Sequence, residues 1–326
     1  MRMLVTGGAG FIGSHYVRSL LTGSYGPQPD LTVTVLDALT YAGNRANLDP
    51  VASDERLRFV HGDIADEALV AELMPGHEWV VNFAAESHVD RTIAGPAAFV
   101  RTNVLGTTVL LEAARSAGTR MFLQVSTDEV YGSIEQGSWP EDTPLAPSSP
   151  YSASKAAADL VALAYAKTFD LPVIVTRGAN TYGPYQYPEK LVPLFVTNLL
   201  DRIPVPLYGD GLHRRDWLHV DDHCRGVHLA LTAGRAGRVY HVGGGTELSN
   251  RELTDRLVEA VGASPDLVVP SPDRRAHDRR YCLDITRSES ELGYRPRVGF
   301  DDGLASVVAW YRENRPWWEP LKRGIR

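Results

Sequence analysis

Residues 3–14 read Met3-Leu4-Val5-Thr6-Gly7-Gly8-Ala9-Gly10-Phe11-Ile12-Gly13-Ser14: a short apolar run, a glycine turn, and the start of a helical pattern that Val17 and Leu21 continue. Gly7, Gly10 and Gly13 have the spacing G-x-x-G-x-x-G of a dinucleotide-binding loop. The first glycine permits the tight turn, the second lets backbone approach phosphates, and the third lets the helix press on the strand. The helix then aims its N-terminal N–H groups at an anion. Glycines also end strands in ordinary turns, but the apolar run before them and the helical pattern after them favour a pyrophosphate loop.

The next strand supports this reading. Leu31 to Leu36 is an apolar-rich run that ends at Asp37, 24 residues past Gly13. An acid there accepts hydrogen bonds from two ribose hydroxyls and repels a 2′-phosphate, so the expected cofactor is NAD and not NADP. The competing reading of Asp37 is a strand-end residue that caps its own turn.

With 326 residues the chain can bury a substantial core in two domains. Its formal net charge of −7 offers no basic stripe for nucleic acid and no polybasic segment for a membrane surface, so the expected partner is a small molecule. Cys224 and Cys282 lack the spacing of a disulfide scaffold or a zinc site, and no metal is expected. No apolar run approaches the roughly eighteen residues of a membrane span, and the run at residue 3 is too short for a secretory signal. A cytoplasmic protein is expected. Only Lys155, Lys167, Lys190 and Lys322 are lysines among 33 basic residues, so each lysine stands out.

Short apolar runs at Leu57 to Val60, Trp79 to Phe83, Met121 to Val125 and Val173 to Thr176 alternate with longer helical patterns. Such alternation predicts an α/β fold, a doubly wound parallel sheet of Rossmann-like type with ligands at the carboxyl ends of its strands. From about residue 178 prolines, aromatics and shorter helices (Arg251 to Val261, Leu304 to Tyr311) predict a smaller C-terminal α/β substrate-binding portion. The expected boundaries are 1–177 for the NAD-binding part and 178–326 for the second. A strand and helix from about 216–245 are expected to return to the first part.

Tyr151 and Lys155 form Tyr-x-x-x-Lys in a helical pattern behind the turn-rich Thr143 to Pro150. A spacing of four puts both on one helix face. The lysine and a bound oxidised nicotinamide favour phenolate, which would make Tyr151 a base near neutral pH. Ser126-Thr127-Asp128-Glu129 follows the run at Met121 to Val125 and so emerges where this fold places its active site. Two neighbouring carboxylates resist ionising together, which suits one as acid and one as base. If both lay in extended strand they would face opposite sides, with one in a surface ion pair.

Gly7 to Gly13, Asp63, the run Asn82 to Arg91, and Tyr151 with Lys155 together resemble the extended short-chain dehydrogenase/reductase superfamily. Thr127-Asp128-Glu129 narrows the resemblance to its dTDP-glucose 4,6-dehydratases: related 4-epimerases carry neutral residues there, GDP-mannose dehydratases and UDP-glucuronate decarboxylases resemble Thr-Ser-Glu, and the aspartate beside the glutamate is the discriminating residue. The resemblance implies that NAD is held by Gly7, Gly10, Phe11, Ile12, Gly13, Asp37, Asp63, Ile64, Ala84, Tyr151 and Lys155. It also implies that Tyr151 removes the C4 hydroxyl proton, Glu129 takes the C5 proton, Asp128 protonates the departing C6 hydroxyl, and Thr127 bonds the C4 oxygen.

On the substrate side, Asn180 to Pro193 resembles the family's sugar-diphosphate loop, which implicates Ser87, Asn180, Glu189, Lys190 and Leu191. Pro206, Tyr208 and Arg215 match the nucleotide segment, with Arg215 as the phosphate ligand; a surface pair of Arg215 with Asp216, or of Arg214 with Asp222, is the alternative. Asn250, Arg274, His277 and Tyr281 match the remaining segments. Thr181, Gly178-Ala179 and Ala276 depart from the family pattern.

The resemblance also implies a homodimer, through helices near Arg101 to Ala117 and Tyr151 to Phe169, with Val104, Thr108, Leu111, Ala157, Val161 and Ala164 as contact positions. Two other functions compete: a nucleotide-sugar 4-epimerase that would not need Asp128 or Glu129, and a non-catalytic NAD sensor that would not need Tyr151, Lys155 or the acids.

Overall fold

The computed structural model describes residues 1–87, 95–273 and 277–323. Seven strands form one parallel sheet in the order β10-β6-β5-β4-β1-β2-β3. They are β1 (Arg2–Thr6), β2 (Thr32–Asp37), β3 (Leu57–His61), β4 (Trp79–Asn82), β5 (Met121–Thr127), β6 (Val173–Gly178) and β10 (Val239–Val242). Side chains alternate across a strand, and here both faces are apolar. Met3 and Val5 enter one core with Val33, Val35 and helix Phe11–Leu21. Leu4 enters the other, with Val80, Phe122 and helix Thr107–Ala117. Burial on both faces is why these strands read as near-continuous apolar runs.

β1 lies between β2 and β4, so the strand order reverses beside it. That reversal opens a crevice at the carboxyl ends. Buried polar side chains cross the sheet just below: Thr6 Oγ1 donates to Asn82 Oδ1 at 2.5 Å, and Asn82 Nδ2 donates to Gln124 Oε1 at 2.8 Å.

Several elements run further than the apolar pattern indicates. β5 continues to Thr127, so Ser126 and Thr127 pair with Arg177 and Gly178 inside the sheet instead of following it. β6 reaches Gly178, and the helix expected at Leu304 to Tyr311 spans Phe300–Glu313. Polar residues at these ends hid the continuation, because the backbone ladder does not depend on side-chain polarity.

Beyond β6 lie two small sheets. One has the order β11-β9-β7, with β7 (Asn180–Tyr182), β9 (Arg214–His219) and β11 (Glu247–Ser249); the other pairs β12 (Val268–Ser271) with β8 (Val205–Tyr208). A second core gathers Tyr182, Phe195, Leu253, Val307 and Trp318 under them. Helix Val220–Ala233 packs on the central sheet through Val227, Ala230 and Leu231, beside β10.

Candidate active site

The glycine loop is built by steric exclusion. Gly7 has φ +66°, and a Cβ there would fall 2.6 Å from Ala84 N; a Cβ at Gly13 would fall 2.3 Å from Gly7 O. Gly10 is different, because its Cβ would meet only Gly7 O, at 3.2 Å. Helix Phe11–Leu21 starts at Gly10 with no side-chain cap and no acid in its first turn, so its leading N–H groups suit an anion. Phe11 and Ile12 line the same cleft, as do Asp37, Asp63, Ile64 and Ala84.

Asp37 caps its own turn and also lines the cleft. Its Oδ2 accepts Ala9 N–H and its Oδ1 accepts Leu39 N–H, each at 2.8 Å, while the carboxyl still lines the cleft. Burial pushes its pKa up, against these two bonds. Asp63 Oδ1 accepts Ala65 N–H at 2.9 Å. Ile64 is buried against Gly106, where a Cβ would lie 2.6 Å from its Cγ1. Asn103 pins the loop before Ser87: its Oδ1 accepts Glu86 N–H at 2.9 Å, and its Nδ2 donates to Ser154 Oγ at 2.8 Å.

Helix Pro150–Phe169 carries Tyr151 and Lys155. Its entry is fixed by a reciprocal cap, in which Ser149 Oγ accepts Ser152 N–H at 3.1 Å and Ser152 Oγ accepts Ser149 N–H at 3.0 Å. Both side chains are buried and line the cleft. Lys155 Nζ donates to Val125 O at 2.7 Å, and burial lowers its pKa to about 8. The phenol of Tyr151 is pushed well above its ordinary value, by burial first and then by the charges of Glu129, Tyr41 and Asp128. The sequence-based expectation concerns a phenol lowered by Lys155 together with a bound nicotinamide; in the protein alone burial acts in the opposite direction.

The acids stand in a 3₁₀ turn, Asp128–Tyr131, directly after β5. The turn removes the strand alternation that would have separated them, and both line the cleft. Asp128 is 2% exposed. Burial, and next the charge of Glu129, raise its pKa well above the ordinary value, which favours its protonated form. Thr127 Oγ1 lies 3.2 Å from Asp128 Oδ1 and also accepts Glu129 N–H at 3.3 Å.

A buried network holds this turn to helix Pro150–Phe169, and no sequence spacing announced it. Arg177 Nε donates to Asp159 Oδ2 at 3.0 Å, and its Nη1 donates to the Tyr131 hydroxyl at 2.5 Å. That hydroxyl lies 2.7 Å from His241 Nε2, and His241 Nδ1 lies 2.7 Å from Asp284 O. A carbonyl only accepts, so Nδ1 carries the proton and Nε2 accepts from Tyr131. This neutral form agrees with a His241 pKa lowered to about 3 by burial.

Ser87, Asn180 and Lys190 also line the cleft. Lys190 Nζ donates to Ser87 O at 2.7 Å. Thr181 and Gly178 share one neighbour: Thr181 Oγ1 lies 2.6 Å from His223 Nδ1, and a Cβ at Gly178 would fall 2.6 Å from the same ring. His223, Tyr41, Gln186 and Tyr187 also line the cleft and were missed in the sequence; only the aromatic loop 182–187 hinted at them.

Glu189 and Leu191 flank Lys190 but are not among the cleft-lining residues. Pro206 and Tyr208 sit on β8, and Asn250 opens helix Asn250–Val261. Arg215 is 5% exposed and donates to the carbonyls of Arg214 and Asp278 at 2.7 and 2.9 Å. It lies 4.2 Å over the Tyr281 ring. The alternative surface pairs do not form: Arg214 pairs with Glu247, and Asp222 with Arg225. Arg274 and Ala276 lie outside the described residues.

Among the described residues, His213, Asp273 and His277 bring potential ligand atoms within 4.8 Å of one another. The two imidazoles stack with ring centres 3.6 Å apart at 11°. His277 Nδ1 lies 2.7 Å from Asp273 Oδ1.

Comparison with known proteins places this geometry. The family described as GDP-mannose 4,6 dehydratase matches residues 4–307. A dTDP-glucose 4,6-dehydratase of Streptomyces antibioticus is 61% identical over 99% of this chain and 96% of its own. The crystal structure of DesIV, a dTDP-glucose 4,6-dehydratase from Streptomyces venezuelae with NAD bound, superposes with TM-score 0.97 at 62% identity, covering 98% of this chain and 100% of that one. A UDP-glucose 4-epimerase of Thermotoga maritima is more distant, with TM-score 0.89 at 32% identity over 97% of this chain and 100% of that one.

Proposed function

The chain belongs to the GDP-mannose 4,6 dehydratase family, within which its near relatives are dTDP-glucose 4,6-dehydratases, and from that premise we propose that it converts dTDP-glucose to dTDP-4-keto-6-deoxyglucose with NAD as resident cofactor. The observation that carries the reading is the pair Asp128 and Glu129, turned together into one cleft beside Tyr151, with burial favouring the protonated form of Asp128. A 4-epimerase has no use for this pair.

The chain's own residues fit the cofactor. The uncapped helix start and Gly10 would take the pyrophosphate, Asp37 the adenosine ribose, Asp63 and Ile64 the adenine side, and Ala84, Tyr151 and Lys155 the nicotinamide side. When bound, NAD supplies a hydride acceptor at C4, a hydride donor at C6, and positive charge beside Tyr151. Tyr151 then takes the C4 hydroxyl proton, with Thr127 at the C4 oxygen. The resulting ketone acidifies the C5 proton, which Glu129 removes; C5 is reprotonated when a hydride is returned to C6. Asp128 delivers its proton to the C6 hydroxyl, because water leaves far more readily than hydroxide. Incubation with dTDP-glucose should yield a 4-keto-6-deoxy sugar; an unaltered 6-hydroxyl with inversion at C4 would make the protein an epimerase.

We assign residues 1–177, with the later strand β10 and helix Val220–Ala233, to the cofactor part, and most of 178–326 to the sugar nucleotide. Asn180, Glu189, Lys190 and Leu191 with Ser87 serve the sugar and diphosphate. Arg215 is the phosphate cation, and Pro206, Tyr208, Asn250, His277 and Tyr281 form the nucleotide end. The charge of Arg215 reaches Asp128 and that of Glu129 reaches Tyr281, which supports one continuous site.

A cofactor that is reduced and reoxidised in one cycle gains nothing from release, so denaturing the purified protein should liberate NAD. Recovery of NADP in its place would overturn the role given to Asp37. No described helix is long and apolar enough to cross a membrane. Both cysteines are free, which supports a reducing cytoplasm.

The homodimer belongs to the same reading, with one correction to its contacts. Leu111 is fully buried in the chain's own core, whereas Leu160, Val100, Phe169 and Leu105 are 58%, 55%, 49% and 43% exposed on and beside the two helices. Light scattering should report a dimer for the parent and a monomer for Leu160→Glu. A monomeric parent at micromolar concentration counts against the dimer.

A further inference from the structure

Helix Arg315–Arg323 is far from the glycine loop in sequence, yet it reaches the loop through one side chain. Trp317 Nε1 donates to Asn47 Oδ1 at 2.9 Å. Asn47 is 1% exposed and turns the other end of its amide to the loop, where Nδ2 donates to Ala9 O at 2.9 Å. The same carbonyl accepts Asn44 N–H at 3.0 Å, and Ala9 N–H is held by Asp37 Oδ2 at 2.8 Å. The peptide groups on both sides of Ala9, between Gly7 and Gly10, are thus clamped.

A second contact joins the same helix to the substrate wall. Asn47 O accepts Arg18 Nη1 at 2.5 Å, and the Arg18 guanidinium lies 4.2 Å over the Tyr185 ring. Tyr185 packs on Trp310 and Trp317, with ring centres 4.5 and 5.6 Å away. Its φ of +67° is a left-handed conformation that a tyrosine holds only when its surroundings over-determine it. The next residue, Gln186, lines the cleft.

We propose that Trp317 is a positioning residue for the cofactor: the C-terminal helix is a latch that holds the glycine loop in its pyrophosphate-binding shape through Asn47, so that NAD leaves only when the helix lifts. This rests on the reading of the cleft as an NAD site. Only an amide at position 47 can accept from the indole and donate to Ala9 O at once, since a carboxylate has no proton to give and a hydroxyl is too short to span both. Retention serves a cycle in which one cofactor molecule acts twice.

The test is exchange of bound NAD for labelled NAD in the full-length protein, with thermal melting measured alongside. Trp317→Phe keeps a ring against Tyr185 and Trp310 but removes the N–H; Asn47→Ala removes both of its amide bonds. Each should speed exchange about five- to tenfold, the scale of a hydrogen bond whose buried partner is left unpaired. The double variant should exchange little faster than Asn47→Ala, because the residues act in series. Parental exchange in Trp317→Phe overturns the latch, whether or not melting falls, and so does a double variant in which the two effects multiply. Should Asn47→Ala not fold, Trp317→Phe decides alone. A parent that holds NAD while the variants exchange at its rate sinks the latch and leaves the cofactor reading intact; a parent that neither contains nor binds NAD sinks both.

Discussion

Asp128→Asn should still oxidise C4 but eliminate water about a hundred- to ten-thousandfold more slowly, because an amide cannot protonate the leaving hydroxyl. Glu129→Gln should lose C5 deprotonation on the same scale, and Tyr151→Phe should suppress the first hydride transfer. Single-turnover absorbance of reduced nicotinamide separates the three. It should rise and persist in Asp128→Asn and Glu129→Gln, and fail to rise in Tyr151→Phe. Solvent deuterium at C5 should appear in Asp128→Asn but not in Glu129→Gln.

The pH dependence follows from the direction of the Asp128 shift. Its pKa is raised, so the acid form persists to higher pH than in an ordinary carboxyl and is lost as pH climbs through the raised value. The alkaline fall in elimination should therefore disappear from the Asn variant's residual rate. Parental turnover in both acid variants would remove the dehydratase mechanism and return the epimerase reading.

Gly13→Ala should damage the fold and the cofactor site together. The added carbon would sit 2.3 Å from Gly7 O and 2.9 Å from Gly7 C, both backbone atoms, so the helix must move off the turn. Overpacking of this kind costs about 1–3 kcal/mol, and it disturbs the leading N–H groups that receive the pyrophosphate. Gly10→Ala supplies the contrast, since its carbon meets one atom at 3.2 Å: it should melt like the parent yet bind NAD more weakly. Equal melting of Gly13→Ala and the parent would show that the loop is looser than described.

The parts of this molecule written in local spacing were legible. The glycine loop, the strand that ends at Asp37, and Tyr151 with Lys155 depend on residues within a turn or a strand of each other. What escaped was long-range or set by competition. Lys155 finds Val125 O, and Arg177 joins Asp159 to Tyr131 and His241, across separations that no periodicity encodes. The upward push of burial on the Tyr151 phenol is something a sequence does not display. Leu111 was read as a surface position because its helix is apolar on more than one side. Thr181, which stands out as a departure from the family pattern, is matched by His223 in the fold.

The last strand of the central sheet carries a consequence for how the chain is made. β10 pairs with β6 only after the whole β7–β9 segment has been synthesised. A nascent chain that has emerged to residue 177 holds six strands, with β6 as a bare edge whose Val173, Ile174 and Val175 are all fully buried in the finished protein. Helix Val220–Ala233, which shares a core with Ile174, is also still to come. An open apolar edge is a template for pairing with other chains. A fragment cut at the boundary between the two parts should therefore aggregate when expressed alone, and on the ribosome the cofactor half must wait for its partner half before it can close.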